Sequence, residues 1–132
     1  MSQAGKKTIL VVDDEPEIRK LVAAMVGQCG YEAITADSGE HALKLYKHHR
    51  PVQLLITDVV QPGMSGPMLA DKLTQIQPDL RVLYISGYDH THLVQKYVVE
   101  KGHALLPKPF TLESLRSKVE EVLGTHANIT MK

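Results

Sequence analysis

Five short apolar runs, separated by longer stretches whose apolar residues recur at helical spacing, constrain what this chain can fold into more than any other feature. The runs are Ile9–Val12, Ala33–Ala36, Leu54–Thr57, Val82–Ser86 and Ala104–Leu106. Strands that alternate with helices build βαβ units around a parallel sheet. Runs of this length, apolar almost throughout and bounded by polar loops, fit strands covered by helices on both faces. The expected fold class is a doubly wound α/β three-layer sandwich with a five-stranded parallel sheet.

The intervening stretches carry start and stop signals. Ile18, Leu21, Val22, Met25 and Val26 form the expected inner face of a first helix, and Gly27 to Gly30 supply its end. Ser38 precedes a second helix over Glu40–His49, in which Ala42, Leu45 and Tyr46 align, and Pro51 helps close it. Leu69, Leu73 and Ile76 line a third, stopped by Pro78. A fourth, about His90–Glu100, depends on Thr91, Val94, Val98 and Val99, whose β-branching lowers helix propensity, so a mobile or shifted helix is expected there. Thr111 caps a fifth, with Leu112, Leu115, Val119, Val122 and Leu123 as its buried stripe before Gly124. Residues 1–6 read as a flexible N-terminus, 7–124 as one domain and 125–132 as a tail without periodicity.

A chain of 132 residues fits one domain. Lys plus Arg equals Asp plus Glu at 15 each, so the overall charge gives no reason to expect nucleic acid or a membrane surface as a direct partner. Cys29 is the only cysteine, which rules out an intramolecular disulfide and fits a reducing, cytoplasmic setting. The seven histidines lack the spacing of a tetrahedral zinc site; His48, His49, His90 and His92 read as solvated helix-end residues. TILVV is too short for a signal core or a membrane span. Tyr84 is expected in the core and Tyr88 at the rim.

In a doubly wound sheet the functional crevice lies outside the C-terminal ends of the strands. The residues released there are Asp13, Asp14 and Glu15 after ILVV, Asp58 after LLIT, Ser86 and Gly87 after VLYI, and Lys108 after ALLP. Taken singly these have ordinary explanations. Acids before Pro16 suit a helix start, and Asp58 before Pro62-Gly63 suits a turn. Taken together, three converging aspartates repel one another unless a cation sits among them, and magnesium takes oxygen ligands of this kind. Lys108 adds a point charge suited to a phosphoryl group, Ser86 a hydroxyl that can donate to it, and Gly87 room beside it. Asp58 is thereby placed as a nucleophile that accepts a phosphoryl group as an acyl phosphate.

At these residues the chain resembles the response-regulator receiver family of two-component signalling over roughly Lys7–Leu123. VVDDE matches the family's acidic pair, TDVVQPGMSG its phosphoacceptor and loop, ISG its switch hydroxyl, and PKPF its lysine and following proline. The resemblance implies a flavodoxin-like sheet of order 2-1-3-4-5. It further implies phosphorylation of Asp58, with Mg2+ held directly by Asp14, Asp58 and the backbone carbonyl of Val60, and by Asp13 through water. Ser86 and Lys108 would bind the phosphoryl group, and Lys108–Pro109 would be a cis peptide. Such a receiver catalyses its own phosphorylation and dephosphorylation.

The implied partner is a histidine kinase or a histidine phosphotransfer domain, with self-association left open. VLYISGYD and LLPKPFTLESLRSKVEEVL look most like the C-terminal receiver of a hybrid sensor histidine kinase, which would make the chain the cytoplasmic part of such a protein. A free-standing regulator and an adaptor that never takes phosphate are the alternatives. Two departures from the family pattern stand out: Leu105 occupies the position of a frequent aromatic switch residue, and Gln61 replaces a frequent methionine. Rival classes fit less well. A nucleotide- or flavin-binding loop needs glycines where DDEPE stands, and a haloacid-dehalogenase-type phosphatase needs two aspartates one residue apart after the first strand.

Overall fold

A computed structural model of the protein describes residues 6–124. The expectations for residues 1–5 and 125–132, and for the side chain of Tyr88, lie outside the described residues. Five strands, β1 (Thr8–Val12), β2 (Glu32–Ala36), β3 (Leu54–Asp58), β4 (Arg81–Ser86) and β5 (Ala104–Pro107), form one parallel sheet of order β2-β1-β3-β4-β5. Central β3 is buried along its whole length, as an apolar strand covered on both faces must be. Leu55, Tyr84 and Val12 face one core, with Leu69 and Leu73 packed over them, while Ile9, Ile56 and Leu83 face the other, with Val22, Val26 and Leu115.

The helices are α1 (Pro16–Gln28), α2 (Gly39–His49), α3 (Gly66–Ile76), α4 (Gln95–Lys101) and α5 (Leu112–Leu123). Ser38 caps α2 by accepting from the His41 N–H at 3.1 Å. Thr111 caps α5 within a reciprocal box with Ser114, which satisfies two otherwise orphaned donors.

The structure corrects three details of the helical faces. Leu21 and Ile76, expected inside, are 46% and 53% exposed, because neighbours on the same helices already fill the contact with the sheet. The region expected as a fourth helix over His90–Glu100 is a 3-10 segment, Tyr88–Val94, followed by the short α4. No side chain caps α4, Gly102 ends it at φ +72°, and β-branched Val98 and Val99 weaken it from within. Val99 lies 77% exposed, and Val94 at the junction is the residue that inserts fully.

Candidate functional site

The parallel register brings the ends of four strands to one edge. Val12 stands beside Thr57, Asp58 beside Ile85, and Ser86 beside Pro107, so Asp13 and Lys108 follow immediately at the same rim. Asp13, Asp14 and Asp58 each present a carboxylate oxygen within 4.8 Å of the others. Asp13 and Asp58 are buried, whereas Asp14 is exposed. Lys108 Nζ donates to Asp58 Oδ2 at 3.3 Å, and its backbone N–H donates to the Ser86 carbonyl at 2.8 Å. The sequence therefore converges in space where the strand order required it to.

Electrostatics at this edge are unbalanced. Burial pushes the Asp13 carboxyl up to about 6; the Glu15 N–H opposes this, the Asp58 charge adds to it, Lys108 opposes it, and Asp14 adds again. One lysine among three aspartates leaves net negative charge in a partly dry pocket, where like charges are costly. Hard oxygen donors at these separations suit a small divalent cation such as Mg2+, which neutralises them and keeps part of its water shell.

The loop after β3 sorts its carbonyls. The Asp58 carbonyl accepts from Thr57 Oγ1 at 3.1 Å, and the Val59 carbonyl accepts from the Gly66 N–H at 3.0 Å. Among the described residues the carbonyls of Val60, Gln61, Pro62 and Gly63 accept no hydrogen bond, and Val60 is the one of these nearest Asp58 in the chain. The Val60 N–H itself donates to Asp58 Oδ1 at 3.3 Å, folding the loop back over the carboxylate.

Ser86 is fully buried, and its hydroxyl donates to the Gly87 carbonyl at 2.9 Å, a local bond that must break before the hydroxyl can serve another acceptor. Around Gly87 there is space, since an added Cβ would come no closer than 4.0 Å to His90 Nδ1. The Lys108–Pro109 peptide is cis, as is Arg50–Pro51. Leu105 is half-buried and pairs in register with Tyr84, so it packs at the core edge.

An aromatic group sits beside it instead. Tyr84 meets Tyr97 edge-on at 6.2 Å between ring centroids, and its hydroxyl lies 3.1 Å from His103 Nδ1. Tyr97 stacks on His103 at 6.2 Å, and Lys101 spans from Tyr97 to Asp71 at 3.0 Å. Burial, followed by the Lys101 charge, holds the His103 imidazole below its ordinary range.

Three supporting residues escape a reading of the sequence. Arg19 Nη1 donates to the Asp13 carbonyl at 2.7 Å, fixing the first acidic turn from α1. Gly66 presses so closely on β3 that an added Cβ would lie 2.3 Å from the Asp58 carbonyl oxygen. Thr57 supplies the hydroxyl under the loop. Gly66 was visible as the last residue of QPGMSG, but its contact with Asp58 exists only in three dimensions.

A parallel α/β sandwich with an acidic trio and a lysine at its carboxyl edge defines an α/β domain whose crevice is suited to a cation and an anionic group. Residues 9–120 match the response regulator receiver domain family, and the chain belongs to it. It is 32% identical over 117 residues to the response regulator receiver protein CpdR of Brucella abortus (strain 2308), covering 89% of this chain and 97% of that one. It is also 32% identical over 121 residues to the sensor kinase CckA of the same organism, covering 91% of this chain but only 13% of the kinase. Among solved structures, the receiver domain of the hybrid histidine kinase CckA superposes with a TM-score of 0.73 at 32% identity, covering 88% of this chain and 98% of that one. The protein is a receiver domain of two-component signalling, and receivers in general bind Mg2+ at an acidic pocket and interact with histidine kinases or phosphotransfer proteins.

Proposed function

We propose that Asp58 accepts a phosphoryl group from a phosphohistidine of a kinase or phosphotransfer domain. A carboxylate oxygen of Asp58 attacks phosphorus, the O–P bond forms as the donor's P–N bond breaks, and the imidazole departs neutral because its other ring nitrogen already carries a proton. Asp14, Asp58 and the Val60 carbonyl would hold Mg2+, with Asp13 assisting. When bound, the cation neutralises charge that develops on the transferring phosphoryl oxygens. Lys108 and the Ser86 hydroxyl hold those oxygens after transfer, with Gly87 leaving space for them. The observation that carries this reading is the ion pair of Lys108 with Asp58 inside a trio of mutually close carboxylates.

The acyl phosphate then biases a surface between two arrangements, and a partner protein reads the difference. Likeness to a hybrid-kinase receiver supports a place within such a kinase. Near-complete coverage of a relative about the length of this chain supports a free-standing regulator, and the parent reading frame separates the two. The chemical proposal is tested by incubating the protein with Mg2+ and acetyl phosphate and weighing it intact. One phosphoryl adduct is expected, absent in Asp58→Asn; equal labelling of the variant, or no adduct on the parent under conditions that slow hydrolysis, refutes it.

A further inference from the structure

Gln61 is an unusual side chain to find beside this pocket. It is 6% exposed, and its amide Nε2 donates to Thr57 Oγ1 and to the Met64 carbonyl, both at a long 3.4 Å. Its Oε1 is buried without a partner among the described residues. The amide orientation follows from the Met64 carbonyl, because turning it over would set one oxygen against another. An unpaired buried acceptor costs stability, and an apolar side chain of similar length would avoid that cost. Fold stability therefore does not account for a glutamine here.

Its place in the chain does. The peptide unit between Val60 and Gln61 contains the Val60 carbonyl, so whatever fixes Gln61 aims that oxygen, because the unit is planar. Pro62 restricts the Gln61 backbone to extended conformations. The side chain reaches two firm neighbours. Thr57 is buried in β3 and donates to the Asp58 carbonyl, and Met64 is wedged against Gly39 of α2, where an added Cβ would lie 2.8 Å from Met64 Sδ. Gln61 thus ties the strand end to the far side of the loop beside the Val60–Gln61 peptide, whose carbonyl accepts no hydrogen bond among the described residues.

We propose that Gln61 is a positioning residue for the cation site, aiming the Val60 carbonyl through its bonds to Thr57 and Met64 at the expense of an unpaired Oε1. This rests on the reading of the acidic trio as a Mg2+ site. Loss of a group that orients a metal ligand commonly weakens metal binding by about 10–100-fold.

The test uses the full chain with Gln61→Met, Thr57→Val and the pair combined. Mg2+ affinity is measured by calorimetry, the melting temperature in EDTA, and the rate of Asp58 phosphorylation across Mg2+ concentrations. Gln61→Met is expected to melt no lower than the parent without metal, to bind Mg2+ about tenfold or more weakly, and to recover the parent's rate at saturating Mg2+. Thr57→Val is expected to weaken binding in the same direction and to add little in the Gln61→Met background. The proposal is overturned if Gln61→Met binds within about twofold of a parent that does bind, or if saturating Mg2+ leaves its rate depressed. A parent that binds no Mg2+ overturns this proposal together with the metal reading beneath it.

Discussion

Lys108 and Asp58 meet at 3.3 Å across the end of β4, so an ion pair joins two strands that are not neighbours in the sheet. A charge held by β5 therefore senses what happens at the tip of β3. Lys108→Ala is expected to leave Mg2+ binding in place while uncoupling phosphorylation from structural change at the β4–α4 edge. Because Lys108 is partly exposed, the stability cost should be small, about 1 kcal/mol or less. Hydrogen exchange over residues 88–101, with and without acetyl phosphate, checks this; equal phosphate-dependent changes in parent and variant would refute it.

Gly66→Ala places a methyl group 2.3 Å from the Asp58 carbonyl oxygen, a contact relieved only by backbone movement. Overpacking of this kind costs about 1–3 kcal/mol. Urea denaturation should show a loss in that range, and Asp58 labelling by acetyl phosphate should slow in step, since the displaced atom belongs to the residue proposed to accept the phosphoryl group. A variant with the parent's stability and rate would mean that the loop yields freely.

Metal and pH act on the same carboxylates. Asp13 is raised from 3.8 to about 6 in the folded state, so the fold binds its proton more tightly than the unfolded chain does. Its contribution is fully present below pH 3.8 and is lost as pH rises through about 6. In EDTA, Asp13→Asn should therefore melt higher than the parent at pH 7, with the difference shrinking toward pH 4. Saturating Mg2+ should raise the parent's stability by about 2.7 kcal/mol at a hundredfold excess over its dissociation constant. Thermal melts in both conditions decide the matter; an Asp13→Asn that melts lower in EDTA would refute the charge argument.

His103 titrates in the opposite sense. Its imidazole is held low by burial and by Lys101, so the unfolded chain binds the proton first as pH falls. The stability it contributes is present above its ordinary value of 6.5 and is lost as pH drops through that value toward the folded one. Nuclear magnetic resonance of the ring protons should give a midpoint below 6.5. His103→Gln should flatten the acid side of the stability profile below about pH 6.5.

The sheet and the convergence of Asp13, Asp14, Asp58 and Lys108 were legible because a parallel sheet sends every strand end to one edge. Apolar run lengths alone then locate the chemistry. Burial of Gln61 was not legible, for a glutamine before a proline reads as an exposed turn until Thr57 and Met64 are seen to enclose it. Leu21 and Ile76 misled because helical spacing marks a broad stripe, whereas the sheet accepts only its centre. The α4 region fell between the two cases: its β-branched residues foretold a weak helix, but the 3-10 entry depends on how Val94 inserts into the core that Tyr84 shares.

No residue of α4 is itself buried, and the helix is held by Val94 before it, the half-covered Tyr97 within it and the bridge from Lys101 to Asp71. A single acyl phosphate has only modest free energy with which to rearrange a protein, and a helix rooted in the core would resist it. An element fastened at three points along one rim can shift while β3 and β4 stay fixed, which separates the part that must remain rigid for chemistry from the part that is free to carry a message.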